Sequence, residues 1–165
     1  MASRSYREER TRVYFAFAPA DLAVVTPVLD DLRQLRPHIT VDYALTSEPF
    51  AVTRSDYIRA SLALRIRRAA VLVCLFRTDV LRDDWVLWSL EVAHRLGIPL
   101  VGTPLGEPTS PAAVDLFASA GIEIAPCRAE ALSAQLSVSL ARPRIAPPVD
   151  DALILPLDFM AHRVR

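Results

Sequence analysis

A chain of 165 residues, 52% of them hydrophobic, has the length of one domain and enough apolar side chains to fill its core, which excludes an intrinsically disordered protein. Its 19 basic and 19 acidic residues cancel, so no cationic surplus draws it to nucleic acid or to an anionic membrane. Every one of those cations is Arg, which excludes any mechanism that depends on a catalytic Lys.

Residues 1–12 are polar and Arg-rich with no apolar run behind them, unlike a secretory signal. The longest apolar run, 69–76, is too short to cross a bilayer. Cys74 lies within that run and Cys127 beside Pro126, far apart in sequence. Two isolated thiols make neither a disulfide framework nor a zinc site, and a cytoplasmic protein with reduced cysteines is the expectation.

Residues 12–17, RVYFAF, are β-branched and aromatic and read as the first strand. Pro19 and Asp21 then mark a turn and a helix start. Leu22, Val25, Val28, Leu29 and Leu32 recur at helical spacing until Pro37 stops the helix. Residues 39–44 read as the second strand, running into a loop at 46–49. Ser55 and Asp56 suit the cap of a second helix whose apolar positions, Ile58, Leu62 and Ile66, recur every four residues. Arg59, Arg65, Arg67 and Arg68 stud the rest of it; such a cluster can grip a phosphate, but its commoner use is a solvated face with stems along apolar surface.

Residues 69–76 are almost continuously apolar, as in a strand covered on both faces. Asp83 and Asp84 precede a third helix, 85–96, and so place carboxylates at its positive end. Gly97 closes that helix, and residues 98–103 form the fourth strand. A loop rich in Gly, Pro and Ser follows, then a short helix at 112–120, a last short strand at 121–125 and a final helix at 129–140. Strands alternating with helices predict a parallel sheet between helical layers, a flavodoxin-like α/β sandwich over 12–141. A polar extension, 1–11, precedes it. The tail, 142–165, breaks the rhythm with Pro143, Pro147 and Pro148 and then turns apolar at 152–160 around Pro156. It fits an arm packed back on the domain or a docking segment for another subunit or protein.

Doubly wound sheets bind ligands at the carboxyl ends of their strands. The turn at 18–21 has neither the glycine nor the Ser/Thr cluster that wraps a flavin phosphate, and four glycines in the whole chain allow no dinucleotide fingerprint and no P-loop. A phospho-receiver site fails as well. Asp21 stands alone, strand three ends in Phe76 and Arg77, and Lys is absent. No Gly-x-Ser-x-Gly elbow exists for a hydrolase. His38, His94 and His162 are scattered, and the Glu91/His94 pair, three apart on one helix, reads as a surface hydrogen bond, so no metal site is expected.

Four segments together are more specific: RVYFAFAPAD (12–21), DYA (42–44), DYIRASLALRIRRAAVLVCLF (56–76) and WVLWSLEVAHRLGIPLVG (85–102). In order, spacing and chemistry they resemble the bacterial TIR-like family that includes the TIR proteins of Thoeris antiphage defence. The resemblance covers about residues 12–105, and its most characteristic piece is the Trp-Val-x-Trp helix followed by a Gly-capped strand. Beyond Leu105 the match is generic α/β sequence.

The resemblance implies a TIR-like fold, a role in defence signalling, and chemistry on NAD. Active members cleave the nicotinamide–ribose bond and release ADP-ribose or a cyclic isomer that serves as a second messenger. A Glu one helical turn after the first Trp holds the ribose hydroxyls and steadies an oxocarbenium-like state, a role for a carboxylate and not for a hydroxyl. Family sites are completed across assemblies, which implies a homo-oligomer or another signalling protein as partner, with no nucleic acid and no membrane. Carried onto this chain, the resemblance implies a nucleotide pocket that draws on Phe15, Phe17, Asp21, Asp42, Tyr43, Trp85 and Trp88, with NAD as the substrate or ligand.

This chain departs from the pattern. The position of the family Glu is Ser89; the Ser that often follows the strand-one aromatic is Ala16; and the polar residues of the next turn are Ala18 and Pro19. The expectation is a TIR-like domain that does not cleave NAD and acts by nucleotide binding, self-association or partner binding. The alternative is an active NAD glycohydrolase or ADP-ribose cyclase with a displaced carboxylate such as Glu91. Glu91 is two residues beyond Ser89, about 200° round a helix, so it is expected to point away from the site. Asp21, Asp42, Tyr43 and Glu48 lie near the carboxyl ends of the first two strands, where a carboxylate can substitute.

Overall fold

The computed structural model describes residues 10–46, 55–77, 83–106, 111–119 and 121–142. Five strands, β1 (Thr11–Ala16), β2 (Ile39–Tyr43), β3 (Val71–Phe76), β4 (Leu100–Pro104) and β5 (Glu123–Ile124), form one sheet in the order β2-β1-β3-β4-β5, parallel throughout. Five helices connect and flank them: α1 (Leu22–Leu35), α2 (Ser55–Arg67), α3 (Asp84–Arg95), α4 (Pro111–Ser119) and α5 (Ala129–Leu140). The architecture is the flavodoxin-like three-layer sandwich that the alternating pattern predicts.

Strand alternation divides the core into two layers. Val13 and Phe15 of β1, with Val71, Val73 and Leu75 of β3, meet Val25, Leu29 and Leu32 of α1 and Leu132 and Leu136 of α5. Tyr14 and Ala16, with Leu72, Cys74 and Phe76, meet Leu62 and Ile66 of α2, most of α3, and Phe117 of α4. All six residues of β3 are buried, as expected for a strand with helices on both sides. Each fully buried aliphatic side chain contributes roughly 2 kcal/mol, against at most about 1 kcal/mol for an exposed ion pair, so these two layers dominate the stability.

Element boundaries differ from the sequence expectations where backbone groups are already engaged. β3 begins at Val71 and not at 69, because the Ala69 N–H is still bonded to Ile66 O (2.9 Å) at the end of α2; the Ala70 N–H already reaches β1, at Arg12 O (2.8 Å). β4 begins at Leu100 and not at 98. The Ile98 N–H turns back to Ala93 O (2.9 Å) while the Gly97 N–H bonds His94 O (3.0 Å), the paired bonds of a helix-closing turn, and Pro99 has no N–H to give. Gly97 sits there at φ 66°, a conformation that favours glycine. The last strand is two residues long, although the Ala125 N–H continues its ladder to Gly102 O at 2.8 Å.

Both cysteines are free, and burial pushes both thiols above their ordinary pKa, with the charge of Asp83 adding to the effect at Cys74. No helix among the described residues is long and apolar enough to cross a membrane. The expectations for the N-terminal extension, for Glu48 and for the tail beyond Arg142 lie outside the described residues.

Candidate functional site

One groove lies where the carboxyl ends of β1 and β2 meet α2 and the first turns of α3. Its floor is β1: alternation turns Tyr14 and Ala16 toward the α2/α3 layer, and Phe17 and Pro19 follow as the strand ends. Ala44 and Thr46 close one side beyond β2, and Leu62 of α2 closes another. The opposite wall is α3, where Trp85 and Ser89 are one turn apart and so share a face with Val86 beside them. Asp83 stands at the head of that wall.

Asp83 has two positions to fill at once. Its backbone is extended (φ −86°, ψ 102°) and its Oδ1 accepts from the Val86 N–H at 3.0 Å, which makes it the N-cap of α3. The same carboxylate borders the groove. Ser89 is buried, and its Oγ donates to Trp85 O at 2.8 Å, the back-bond a helical serine makes to the preceding turn. Tyr14 is buried too. Desolvation pushes its phenol pKa up to about 12, with the Asp42 charge adding and the Arg65 charge and the Ala44 backbone opposing. The Trp85 ring meets Trp88 edge-on (centroids 6.1 Å, 82°) and carries the Arg59 guanidinium 6.0 Å from its centroid. Arg59 in turn donates to Asp56 at 2.8 Å.

Of the residues expected at a pocket, the structure brings Phe17, Trp85 and Ser89 to this groove. The others have different surroundings. Phe15 is turned into the α1/α5 layer, and Tyr43 packs against that layer with its ring 5.3 Å from Phe17. Trp88 is 1% exposed and belongs to the core of the α2/α3 layer. Asp21 is buried at the end of β1 and pairs with Arg77, beyond the end of β3, at 2.6 Å. Asp42 is claimed from two sides: Arg65 of α2 binds both its oxygens and Tyr43 O, and Arg12 approaches to 3.9 Å. Glu91 is 2% exposed, and its carboxylate meets Arg95 one turn on at 2.6 Å; it is not among the residues that border the groove.

No protein-family model matches this chain, and no curated protein matches it. The chemistry of the groove therefore rests on its own geometry.

Tyr14, Ala44, Thr46, Leu62, Asp83 and Val86 are the groove residues that sequence reasoning did not single out as a site. For Tyr14 the signal was present, since strand alternation puts it on the face opposite Phe15. Asp83 was legible only as a helix-start charge. Counted out to solvent, the groove holds about 310 Å³ of empty space. Among its described lining residues Asp83 is the one charged side chain, and none is a histidine. The Ser89 hydroxyl donates to a main-chain carbonyl and not to a side-chain base, so it is not arranged as an activated nucleophile. Among the described residues no three His, Cys, Asp or Glu side chains come together to hold a metal ion.

Proposed function

We propose that this chain is a TIR-like domain without NAD-cleaving activity, which acts in signalling through ligand binding at the groove and through self-association or partner binding. The observation that carries this reading is Ser89. It stands on the groove wall one turn after Trp85, where the family that the sequence resembles has its ribose-holding Glu. A hydroxyl that already donates to Trp85 O supplies no negative charge to an oxocarbenium-like state. The carboxylate nearest in sequence, Glu91, is engaged with Arg95 away from the groove.

The test is nicotinamide release from NAD by the purified protein at high concentration, beside Ser89→Glu and Glu91→Gln variants. The expected result is no turnover by the native chain and by Glu91→Gln, with activity appearing in Ser89→Glu. Turnover by the native chain overturns the reading, and its loss in Glu91→Gln would assign the chemistry to a rearranged α3. A Ser89→Glu variant that folds and stays silent removes the support for a TIR-like pocket.

A further inference from the structure

We propose that α2 pairs antiparallel with α2 of a second copy of this chain, through a solvent-side face made by Tyr57, Ala60, Ser61 and Leu64. This rests on the self-association in the functional reading above and deepens it by naming the surface and its symmetry.

α2 is apolar on two sides. Leu62 and Ile66 are buried in the core. Successive residues of an α-helix turn by about 100°, which puts Tyr57 and Leu64 within about 20° of each other and about 160° from that core side. Tyr57 is 83% exposed and Leu64 54%. Ala60 and Ser61, both exposed, lie between them on the same side. Single exposed apolar residues are ordinary surface, but here a large residue at each end brackets two small ones. Small residues at the centre let a second helix come close, and the large ones fill the space beside it. Tyr and Arg, which both occur along this face, are the side chains that protein interfaces favour.

Charge selects the occupant and its direction. The face runs from Asp56 at the start of α2, 79% exposed in its side chain, to Arg67 and Arg68 at its end, both exposed. Asp56 and Arg67 are eleven residues apart, so they lie within about 20° of each other on one flank of the stripe. A two-fold axis beside Ala60 and Ser61 sets Tyr57 of one copy against Leu64 of the other and keeps like flanks on the same side. Asp56 of each copy then meets the Arg67 end of the other, twice per dimer. A parallel pair brings the two basic ends together, and their repulsion opposes it. The face is thus complementary to itself when the helices run in opposite directions. The chain as a whole has no net charge, so no long-range repulsion keeps two copies apart.

The test is sedimentation velocity of the full chain from about 10 µM to about 1 mM, the range of weak association that a single pair of helices provides. The native chain is expected to pass from monomer to dimer within it. Ala60→Arg puts a bulky charge at the centre of the face, on an exposed site that suits a good helix former, and is expected to weaken the dimer about tenfold. Asp56→Arg and Arg67→Asp are each expected to weaken it about fivefold, since each sets two like-charged contacts in every dimer. An equal mixture of these two is expected to regain dimer near the native level, because each variant supplies the charge that the other lacks. The mixture uses the same two proteins, so its recovery also shows that both are folded. A chain that stays monomeric throughout, a dimer that Ala60→Arg leaves unchanged, or a mixture no better than its components each overturns the proposal. A dimer of this kind with a silent Ser89→Glu sinks the TIR-like reading alone. Activity in Ser89→Glu from a chain whose association ignores Ala60→Arg sinks this one alone.

Discussion

The Tyr14 phenol offers a measurable handle on the groove floor. In the unfolded chain it loses its proton near pH 10; in the folded chain burial holds the proton to about pH 12. Between those values the folded state binds the extra proton. Its contribution is therefore fully present below pH 10 and is lost as pH climbs toward 12. A displacement of about two pH units at about 1.4 kcal/mol each makes the loss about 2–3 kcal/mol. Cys74 and Cys127 are shifted in the same direction and add alkaline losses of their own. The informative quantity is thus the difference between the native chain and Tyr14→Phe, in which the thiol effects cancel. At pH 8 Tyr14→Phe should be about 1 kcal/mol less stable, having lost the hydroxyl's bond to the Ala44 backbone. By pH 12 the order should reverse, with the variant about 1–2 kcal/mol the more stable. Urea unfolding at several pH values gives both curves. Parallel curves from pH 8 to pH 12 would refute the reasoning, since they would mean that the phenol ionises equally in both states.

Two further substitutions test how buried polar groups are held. Thr103 on β4 is fully buried and its Oγ1 has no hydrogen-bond partner among the described residues, so Thr103→Val should stabilise the fold by about 1 kcal/mol, read as a higher urea midpoint at unchanged slope. A lower midpoint would show that the hydroxyl is satisfied. Arg95→Met keeps the stem and removes the guanidinium from the buried Glu91 carboxylate. It should cost about 2 kcal/mol, less than the loss of a fully buried pair because Arg95 is itself 32% exposed in its side chain. Adding Glu91→Gln should recover most of it, and additive losses in the double variant would mean that the pair is not coupled.

The layers of the fold were legible because strands repeat every two residues and helices every 3.6, and both periods are plain in this chain. The final helix was predicted at 129–140 and runs from Ala129 to Leu140. The groove was legible only in part. Ser89 follows from helical spacing once Trp85 is taken as a wall residue. Phe15 and Asp42 show what spacing omits. Phe15 has the right place along β1 and the wrong face for the groove, and faces are assigned only when helices cover the sheet. Asp42 sits near the end of β2, yet β2 is an edge strand under α2, and Arg65 and Arg12 claim its carboxylate.

The same geometry decides how much room α3 has to turn. The helix is held at its start by the bond from the Val86 N–H to Asp83 and at its end by the bonds of Gly97 and Ile98 to His94 and Ala93. Between those ends Val86 to Ala93 are all buried. Rotating the helix by about 200° to bring Glu91 to the groove would break the cap, worth about 1 kcal/mol, and undo the closing turn. It would also force the buried side chains from Val86 to Ala93 against new neighbours in a close-packed layer. Among the described residues of the α3 wall the carboxylate is that of Asp83, and Ser89→Glu adds a second one a helical turn after Trp85.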